Sequence, residues 1–200
     1  MLVLVACEES QAVCKAFRER GHEAYSCDLQ TCSGGHPEWH FLCDALKVLD
    51  YHWDLLIAHP PCTYLSNAGA NHLFRGHYLD LERYKKGLQG KEFFMKFFNA
   101  HIKKICVENP VPSKIYGLPK YTQSIEPYMF GHPYTKKTLL WLKGLPPLKP
   151  TNIVKPLAGW TGWHRKSIDK PLRTVRSAKD RSKTFAGIAK AMAEQWGVDD

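Results

Sequence analysis

The sequence has no long hydrophobic run and comparatively few acidic residues. No apolar stretch approaches the roughly 20 residues that a helix needs to cross a bilayer, although 44% of the 200 residues are hydrophobic. Asp and Glu number 19 against 28 Lys and Arg, which gives a net charge of +9. We therefore expect a globular, non-membrane protein, and the positive charge favours a polyanionic partner such as nucleic acid.

The sequence also lacks the features of a secreted protein. The first apolar run has no basic segment before it and leads directly into Glu8 and Glu9, unlike a secretory signal. The seven cysteines are an odd number and include no Cys-x-x-Cys pair. We therefore expect reduced thiols and a cytoplasmic location, where a cysteine is available for catalysis.

Short apolar runs alternate with segments of helical periodicity, and no internal repeat is present. This alternation predicts an α/β fold with a mostly parallel sheet and helices on both faces. We expect one domain over residues 1–200, since a chain of this length is too short for two full domains. Strands are predicted at 2–6, 23–29, 53–58, 105–110 and 137–143, helices at 11–20, 91–104 and 182–196, a mobile basic loop at 63–90, and a basic, proline-rich loop region at 145–180.

Acidic and thiol side chains follow several of the predicted strands. In a parallel sheet the carboxyl ends of the strands meet at one edge, and ligands bind there. The residues at such ends are Cys7, Glu8, Asp28, Asp44, Cys62 and Glu108. Their convergence predicts a functional site at this edge, and Ser10 is the predicted N-cap of the first helix.

Cys62 and Glu108 are the residues best suited to covalent chemistry. Pro60 and Pro61 end the preceding strand and fix the turn that carries Cys62. A thiol held in this way is a candidate nucleophile, and Glu108 on the next strand is a candidate proton donor or acceptor. Taken singly, the cysteine has an ordinary role as a small buried apolar residue and the acid as a capping residue. As a pair on neighbouring strand ends they favour catalysis.

Two short signatures resemble the C5-cytosine DNA methyltransferase family. Pro61 and Cys62 resemble its Pro-Cys motif, and Glu108 and Asn109 resemble its Glu-Asn motif. Further resemblances to family motifs are found at 5–10, Asp28, Asp44, 131–138 and 181–185. The resemblance implies a Rossmann-like fold that uses S-adenosyl-L-methionine, in a minimal, phage-like form without a target-recognition domain, working in a bacterial or phage-infected cell.

The resemblance also implies roles for individual residues. Cys62 would add to C6 of cytosine, Glu108 would act at N3, and Lys136 would supply a nearby positive charge. Asp28 would contact the ribose of the cofactor, Asp44 its adenine amino group, and Glu8 its methionine amino group. The other implied contacts are Cys7, Ser10, Pro60 and Thr184 to the cofactor and Pro61, Thr63, Asn67, Asn109 and Thr138 to the substrate.

The implied substrate is DNA, either single-stranded or a duplex from which the target base is flipped. The basic loop over 63–90 is placed to close over that base. The sequence departs from the family at the first loop, which has no glycine, and at Lys136 and Thr138, which replace an Arg-x-Arg pair. Only about 40 residues separate the last strand from the closing helix, too few for a recognition domain of usual size, so we expect low sequence specificity.

Two other functions remain open from the sequence. An enzyme of the same cysteine chemistry could modify RNA or free pyrimidine nucleotides. A non-catalytic nucleic-acid-binding protein on a methyltransferase scaffold would also account for the departures.

Two further groups of residues are candidate sites. The thiols and imidazoles of Cys27, Cys32, His36, His40 and Cys43 could form a zinc site, which a metal assay would test. Aromatic and basic residues at 160–181 resemble a nucleic-acid surface.

Overall fold

The computed structural model describes residues 1–70, 72–159 and 182–198. Its helices are α1 (Ala12–Arg18), α2 (Asn67–Ala70), α3 (Leu81–Phe98) and α4 (Ala186–Trp196). Its strands are β1 (Leu2–Ala6), β2 (Glu23–Asp28), β3 (His40–Leu42), β4 (Leu55–Ala58), β5 (Phe74–Arg75), β6 (Tyr78–Leu79), β7 (Lys104–Pro110), β8 (Gln123–Ile125), β9 (Tyr134–Thr135), β10 (Thr138–Lys143) and β11 (Ala158–Gly159).

Seven of these strands form one sheet in the order β3-β2-β1-β4-β7-β10-β8. The strands β1, β2, β3, β4 and β7 pair in parallel, and β10 runs antiparallel to both of its neighbours. A mostly parallel sheet with one reversed strand near its edge is of the α/β class that the alternating sequence pattern predicts. The predicted fold class is therefore confirmed.

Two apolar layers cover the two faces of the sheet. Val3 and Val5 of β1 pack in the layer that contains α1 and α4, whereas Leu4 and Ala6 pack in the layer that contains α3. This alternation is the two-residue period of a strand buried on both sides. Both layers are closed by large aromatic side chains, such as Trp196 on α4. The sheet is thus a rigid support for whatever lies at its strand ends.

The region between β4 and β7 differs from the prediction. Helix α3 begins at Leu81 rather than at residue 91, and a small hairpin of β5 and β6 precedes it. The predicted loop over 63–90 is therefore helical in its last ten residues. The carboxylate of Asp80 caps the helix by accepting a hydrogen bond from the backbone N–H of Arg83 at 3.0 Å.

The ends of two other helices also shift. Helix α1 spans Ala12–Arg18, and its N-cap is Gln11 instead of Ser10, although Ser10 Oγ accepts a long hydrogen bond of 3.4 Å from the N–H of Ala12. Helix α4 begins at Ala186 instead of residue 182, after Phe185 at the N-cap. Strand β8 has only three residues and was not predicted, since it carries no apolar run.

Within the described residues, no helix is both long enough and apolar enough to cross a lipid bilayer. The described part of the predicted 145–180 loop region contains the short strand β11, which pairs with β9. The aromatic and basic cluster predicted at 160–181 lies outside the described residues.

Candidate active site

The carboxyl ends of the parallel strands bring the predicted thiols and acids to one edge of the sheet. The residues are Cys7 and Glu8 after β1, Asp28 at the end of β2, Asp44 after β3, Cys62 after β4, and Glu108 in β7. Burial and the charges of Asp28, Cys27 and Asp44 raise the pKa of the Cys7 thiol. The end of β1 therefore lies beside both predicted cofactor acids.

The turn after β1 keeps a tight backbone without glycine. Cys7 and Gln11 have φ angles of 60° and 57°, which lie in the left-handed region that favours glycine. Each such residue costs roughly 1–2 kcal/mol. The buried side-chain amide of Gln11 offsets this cost, because it donates to the carbonyl of His36 at 2.7 Å and accepts from its N–H at 3.1 Å. Nothing in the sequence marked Gln11 for this role.

Glu8 caps helix α1 from inside the protein. Its side chain accepts hydrogen bonds from the N–H of Val13 at 2.7 Å and of Cys14 at 3.2 Å, and the residue is only 4% exposed. Burial raises the pKa of Glu8, while the charge of His59 and these hydrogen bonds act against that shift. Each carboxylate oxygen accepts one hydrogen bond within the protein, and the contact of Glu8 with a methionine amino group stays a prediction.

Asp28 and Asp44 each use one oxygen locally. Asp28 Oδ1 accepts from the N–H of Gln30 at 2.9 Å, and Asp44 Oδ1 accepts from the N–H of Leu46 at 3.0 Å. The second oxygen of each carboxylate has no hydrogen-bond partner within the described part of the chain. These two acceptors, at neighbouring strand ends, fit the hydroxyl and amino donors of a nucleoside.

The turn after β4 holds Cys62 partly buried. Its backbone carbonyl accepts from the N–H of Ser66 at 3.0 Å, which closes the turn. Burial and the negative charge of Glu108 raise the pKa of the Cys62 thiol, and Lys136 lowers it in part. The thiol is therefore protonated at neutral pH, and the charges of both predicted partners reach it.

His59 and Glu108 form a partly buried ion pair that the sequence analysis did not identify. His59 Nδ1 lies 2.9 Å from Glu108 Oε2, and the side chains are only 12% and 17% exposed. Burial acts to raise the pKa of Glu108, but the hydrogen bond from His59 and the charges of His59 and Lys136 lower it overall. Burial acts to lower the pKa of His59, but Glu108 and the charge of Glu8 raise it overall.

Asn109 ties the Cys62 turn to the neighbouring strand. Its Nδ2 donates to the carbonyl of Pro60 at 3.0 Å, and the residue is 1% exposed. Among the described residues, Asn109 Oδ1 and His59 Nε2 are buried and have no hydrogen-bond partner. Asn109, which was predicted as a substrate contact, therefore positions the turn that carries Cys62.

Two hydrogen bonds of its backbone hold Lys136 in position. Its N–H donates to Glu126 Oε2 at 2.6 Å, and its carbonyl accepts from Thr138 Oγ1 at 3.1 Å. Its Nζ lies 6.0 Å from the ring centre of Phe185, next to Thr184 at the start of α4. Buried Thr138 therefore fixes Lys136.

The remaining predicted residues lie around the same turn. Pro60 is buried and Pro61 is exposed. Exposed Thr63 places its carbonyl so close to Gly69 that a Cβ there would collide with it. The N–H of Asn67 donates to the carbonyl of Val111 at 2.9 Å.

A cationic and aromatic group beside this turn was not predicted. The guanidinium of Arg83 lies 5.0 Å from the ring centre of Tyr64, and Lys86 Nζ lies 5.7 Å from the same ring. Arg83 also donates to the carbonyl of Gly69 at 3.0 Å. An aromatic ring flanked by cations in this way suits a nucleic-acid strand.

The candidate zinc ligands lie in different local contacts and are not gathered around one point. Cys27 Sγ lies 3.8 Å from Cys43 Sγ, His36 Nδ1 lies 3.0 Å from a Glu38 oxygen, and His40 Nδ1 lies 2.8 Å from Ser26 Oγ. Over residues 1–70, 72–159 and 182–198, no three His, Cys, Asp or Glu side chains are arranged to hold a metal ion.

A cleft of about 1300 Å³ lies away from this edge. It is lined by residues that precede β1, β4 and β7, such as Met1, Asp54 and Lys103, and contains none of the predicted site residues. The chemistry-bearing side chains are at the opposite ends of these strands, and we place the candidate active site there.

Comparison with protein-family models found no match, and a search of curated proteins found none either. Among solved structures, the chain is similar to a crystal structure of a mutant DNMT2 from Spodoptera frugiperda, with 14% sequence identity and a TM-score of 0.40. The alignment covers 78% of this chain and 55% of that one, so the chain spans about half the length of that protein. A likeness this distant assigns no activity, and the site must be interpreted from its own geometry.

Proposed function

We propose that this protein is a DNA (cytosine-5-)-methyltransferase whose nucleophile is the Cys62 thiol. The observation that supports the proposal is that Cys62 follows β4 and Glu108 lies in the paired strand β7, and that the charges of Glu108 and Lys136 both act on the pKa of the thiol. Neighbouring strands β4 and β7 supply the first two residues in the rigid arrangement that such a reaction needs.

Each of these side chains has a defined task in the reaction. C5 of cytosine is a poor nucleophile until a thiolate adds to C6, and Cys62 makes that bond. The thiol is protonated in the free protein and is partly exposed, so it gives its proton to water as the S–C6 bond forms, and the positive charge of Lys136 stabilises the thiolate. Glu108 faces N3, where negative charge develops in the ring.

Asp28 and Asp44 would hold the nucleoside part of S-adenosyl-L-methionine through their second carboxylate oxygens. When bound, this group supplies the methyl that C5 accepts. The strained Cys7 backbone lies beside both acids, and strain of this kind is often found at ligand sites.

The substrate side of the proposal rests on charge and on the turn after β4. A target base inside a duplex must leave the stack to reach Cys62. Tyr64, Arg83 and Lys86 lie beside that turn and supply a ring face and cations to the exposed strand. The net charge of +9 supports attraction to phosphate groups.

The test is to incubate the protein with radiolabelled S-adenosyl-L-methionine and, separately, DNA, RNA and cytidine nucleotides. We expect label on DNA, loss of labelling in Cys62→Ala, and normal labelling in Cys32→Ala, which removes another partly exposed cysteine. DNA containing 5-fluorocytosine should trap the protein covalently through Cys62.

Label on RNA alone or on nucleotides alone would replace DNA with the other substrate and contradict our proposal on that point. If no substrate is labelled and no adduct forms, the protein is not this enzyme, and the non-catalytic binding function is favoured instead.

A further inference from the structure

His59 is fixed between the first strand and the seventh. It directly follows β4, and its backbone N–H donates to the carbonyl of Ala6 in β1 at 2.9 Å. Its Nδ1 reaches Glu108 Oε2 in β7 at 2.9 Å. His59 also begins the turn that carries Cys62 three residues later. A side chain anchored on three sides in this way holds the Glu108 carboxylate in one orientation.

The charges around the imidazole favour its protonated form. Glu108 faces it from β7, Glu8 acts on it from the turn after β1, and Lys136 opposes them from the segment between β9 and β10. The thiols of Cys62 and Cys106 also interact with the charge of Glu108, and both are neutral at pH 7 because their pKa values are raised. His59 Nε2 has no hydrogen-bond partner in the described part of the chain. Among the described residues, an imidazole proton of His59 can therefore move directly to Glu108, along the hydrogen bond from Nδ1.

An ionised Glu108 cannot by itself contact cytosine N3 favourably. The N3 atom of a neutral cytosine is a hydrogen-bond acceptor, and both oxygens of a carboxylate are acceptors as well. A proton has to be added to the carboxyl before it can donate a hydrogen bond. His59 Nδ1, which carries such a proton when the imidazole is protonated, lies 2.9 Å from Glu108 Oε2.

Resting on the function proposed above, we infer that His59 is the positioning residue that stores the proton Glu108 presents to N3 of the target cytosine. As the base enters, the Nδ1–H bond of His59 breaks and an O–H bond forms on Glu108. The imidazolium becomes a neutral imidazole and the carboxylate becomes a carboxylic acid, so the charge of the pair stays at zero. The acid then donates to N3, and the proton returns to Nδ1 when the product leaves.

The pair must hold one proton for the base to be activated. Methyl transfer should therefore decline as the pH rises and His59 loses its proton. A residue that only packs against Glu108 would not produce this dependence. The pH profile is accordingly the readout that separates proton storage from a structural role.

The experiment measures single-turnover methyl transfer to DNA between pH 5.5 and 9 for the wild type, His59→Asn and His101→Asn. Asn retains a hydrogen-bond donor toward Glu108 but does not titrate. We expect His59→Asn to lower the rate constant by about 100-fold, the usual contribution of one proton-transfer group, with little change in KM. Its rate should also lose the decline at alkaline pH. Exposed His101, beside the remote cleft, is the matched control and should behave as the wild type.

A second measurement does not depend on turnover. Titration of the His59 ring by NMR should give a lower midpoint in Glu108→Gln than in the wild type, because the paired carboxylate is gone. A wild-type pH profile and rate in His59→Asn would overturn the inference while leaving the proposed function intact. An unchanged His59 midpoint in Glu108→Gln would also overturn it. A wild-type protein that neither methylates DNA nor traps 5-fluorocytosine would overturn both, and that outcome is recognised without any variant.

Discussion

Among single residues, His59 and Glu108 make stability depend on pH in two directions. The pKa of Glu108 is lowered in the folded protein, so its contribution is present above the ordinary carboxyl pKa and is lost as the pH falls through the folded value. The pKa of His59 is raised, so its contribution is present below the ordinary imidazole pKa and is lost as the pH rises through the folded value. The pair should stabilise most between about pH 4.5 and 6.5.

Removing the imidazole should therefore be more costly at pH 6 than at pH 4. We expect His59→Ala to lower the free energy of unfolding by about 3 kcal/mol at pH 6, since it leaves the partly buried Glu108 carboxylate without its hydrogen-bonded cation. At pH 4 the cost should be smaller. Without His59, burial raises the pKa of Glu108 in the variant, so the carboxyl is neutral at this pH and needs no cation. Urea unfolding at the two pH values measures the difference.

Exposed His101 gives the control, and His101→Ala should cost less than about 0.5 kcal/mol at both pH values. An equal cost of His59→Ala at pH 4 and pH 6 would show that the imidazole fills space and holds no charge pair.

The residues of the site were predictable in identity more than in direction. Cys62 and Glu108 were predicted to lie at one edge because the carboxyl ends of parallel strands converge, and the structure places both there. His59 was overlooked because a histidine between a strand and two prolines has an ordinary place in a loop. Glu8 was expected to face a ligand, but the unpaired N–H groups at the start of α1 attract its carboxylate inward. The sequence pattern thus predicts which residue follows a strand. The direction of its side chain depends on which hydrogen-bond donors nearby bind it.

Among the elements, α1 depends on this inward carboxylate. Glu8→Gln keeps one acceptor oxygen but directs an amide NH₂ at a second N–H donor. We expect it to lower the free energy of unfolding by about 1–3 kcal/mol, the cost of a buried donor left unpaired. Glu19→Gln, at the exposed other end of the same helix, is the matched control and should change stability by less than about 0.5 kcal/mol. Urea unfolding compares the two, and equal effects would rule out the capping role.

Elements with strong apolar patterns were predicted, and those stabilised by tertiary contacts were not. Strands β1, β4, β7 and β10 follow apolar runs and lie close to their predicted positions. The first part of α3 was missed because Gly87 and Gly90 weaken its helical pattern. Position 87 has no room for a larger residue, since the side chain of Tyr116 lies where a Cβ on Gly87 would be.

These two glycines in one helix predict opposite responses to alanine. At Gly87 a new Cβ collides with the buried Tyr116 ring, so Gly87→Ala should destabilise by about 1–3 kcal/mol despite the better helix propensity of alanine. At Gly90 the nearest atom is Leu65 Cγ at 3.3 Å, on a flexible side chain. Gly90→Ala should therefore remain within about 1 kcal/mol of the wild type.

Thermal unfolding followed by circular dichroism measures both variants. A second substitution, Tyr116→Ala, should remove most of the cost at Gly87 and leave Gly90→Ala unchanged. If Gly87→Ala were as stable as the wild type, the close packing of α3 on Tyr116 would be wrong.

For the whole molecule, the reactive side chains and the positive charge are distributed differently. The sheet concentrates Cys62, Glu108, Asp28 and Asp44 at one edge, while the net charge of +9 is distributed along the chain. Binding of a nucleic acid should then depend mainly on phosphate contacts, and reaction should depend on the strand ends. A variant that stops the chemistry should leave binding intact, because the Cys62 thiol is neutral at pH 7.

Salt provides the test of this separation. Each phosphate that the protein neutralises contributes about −0.9 to the slope of log K against log salt, so three or four phosphates give a slope near −3. DNA affinity should then fall roughly 60-fold between 50 and 200 mM salt. Fluorescence anisotropy of labelled DNA measures this for the wild type and Cys62→Ala, which should share one slope. Cytidine monophosphate, with a single phosphate, should bind with little salt dependence. A DNA affinity that is independent of salt would contradict phosphate-driven binding and would favour a nucleotide substrate.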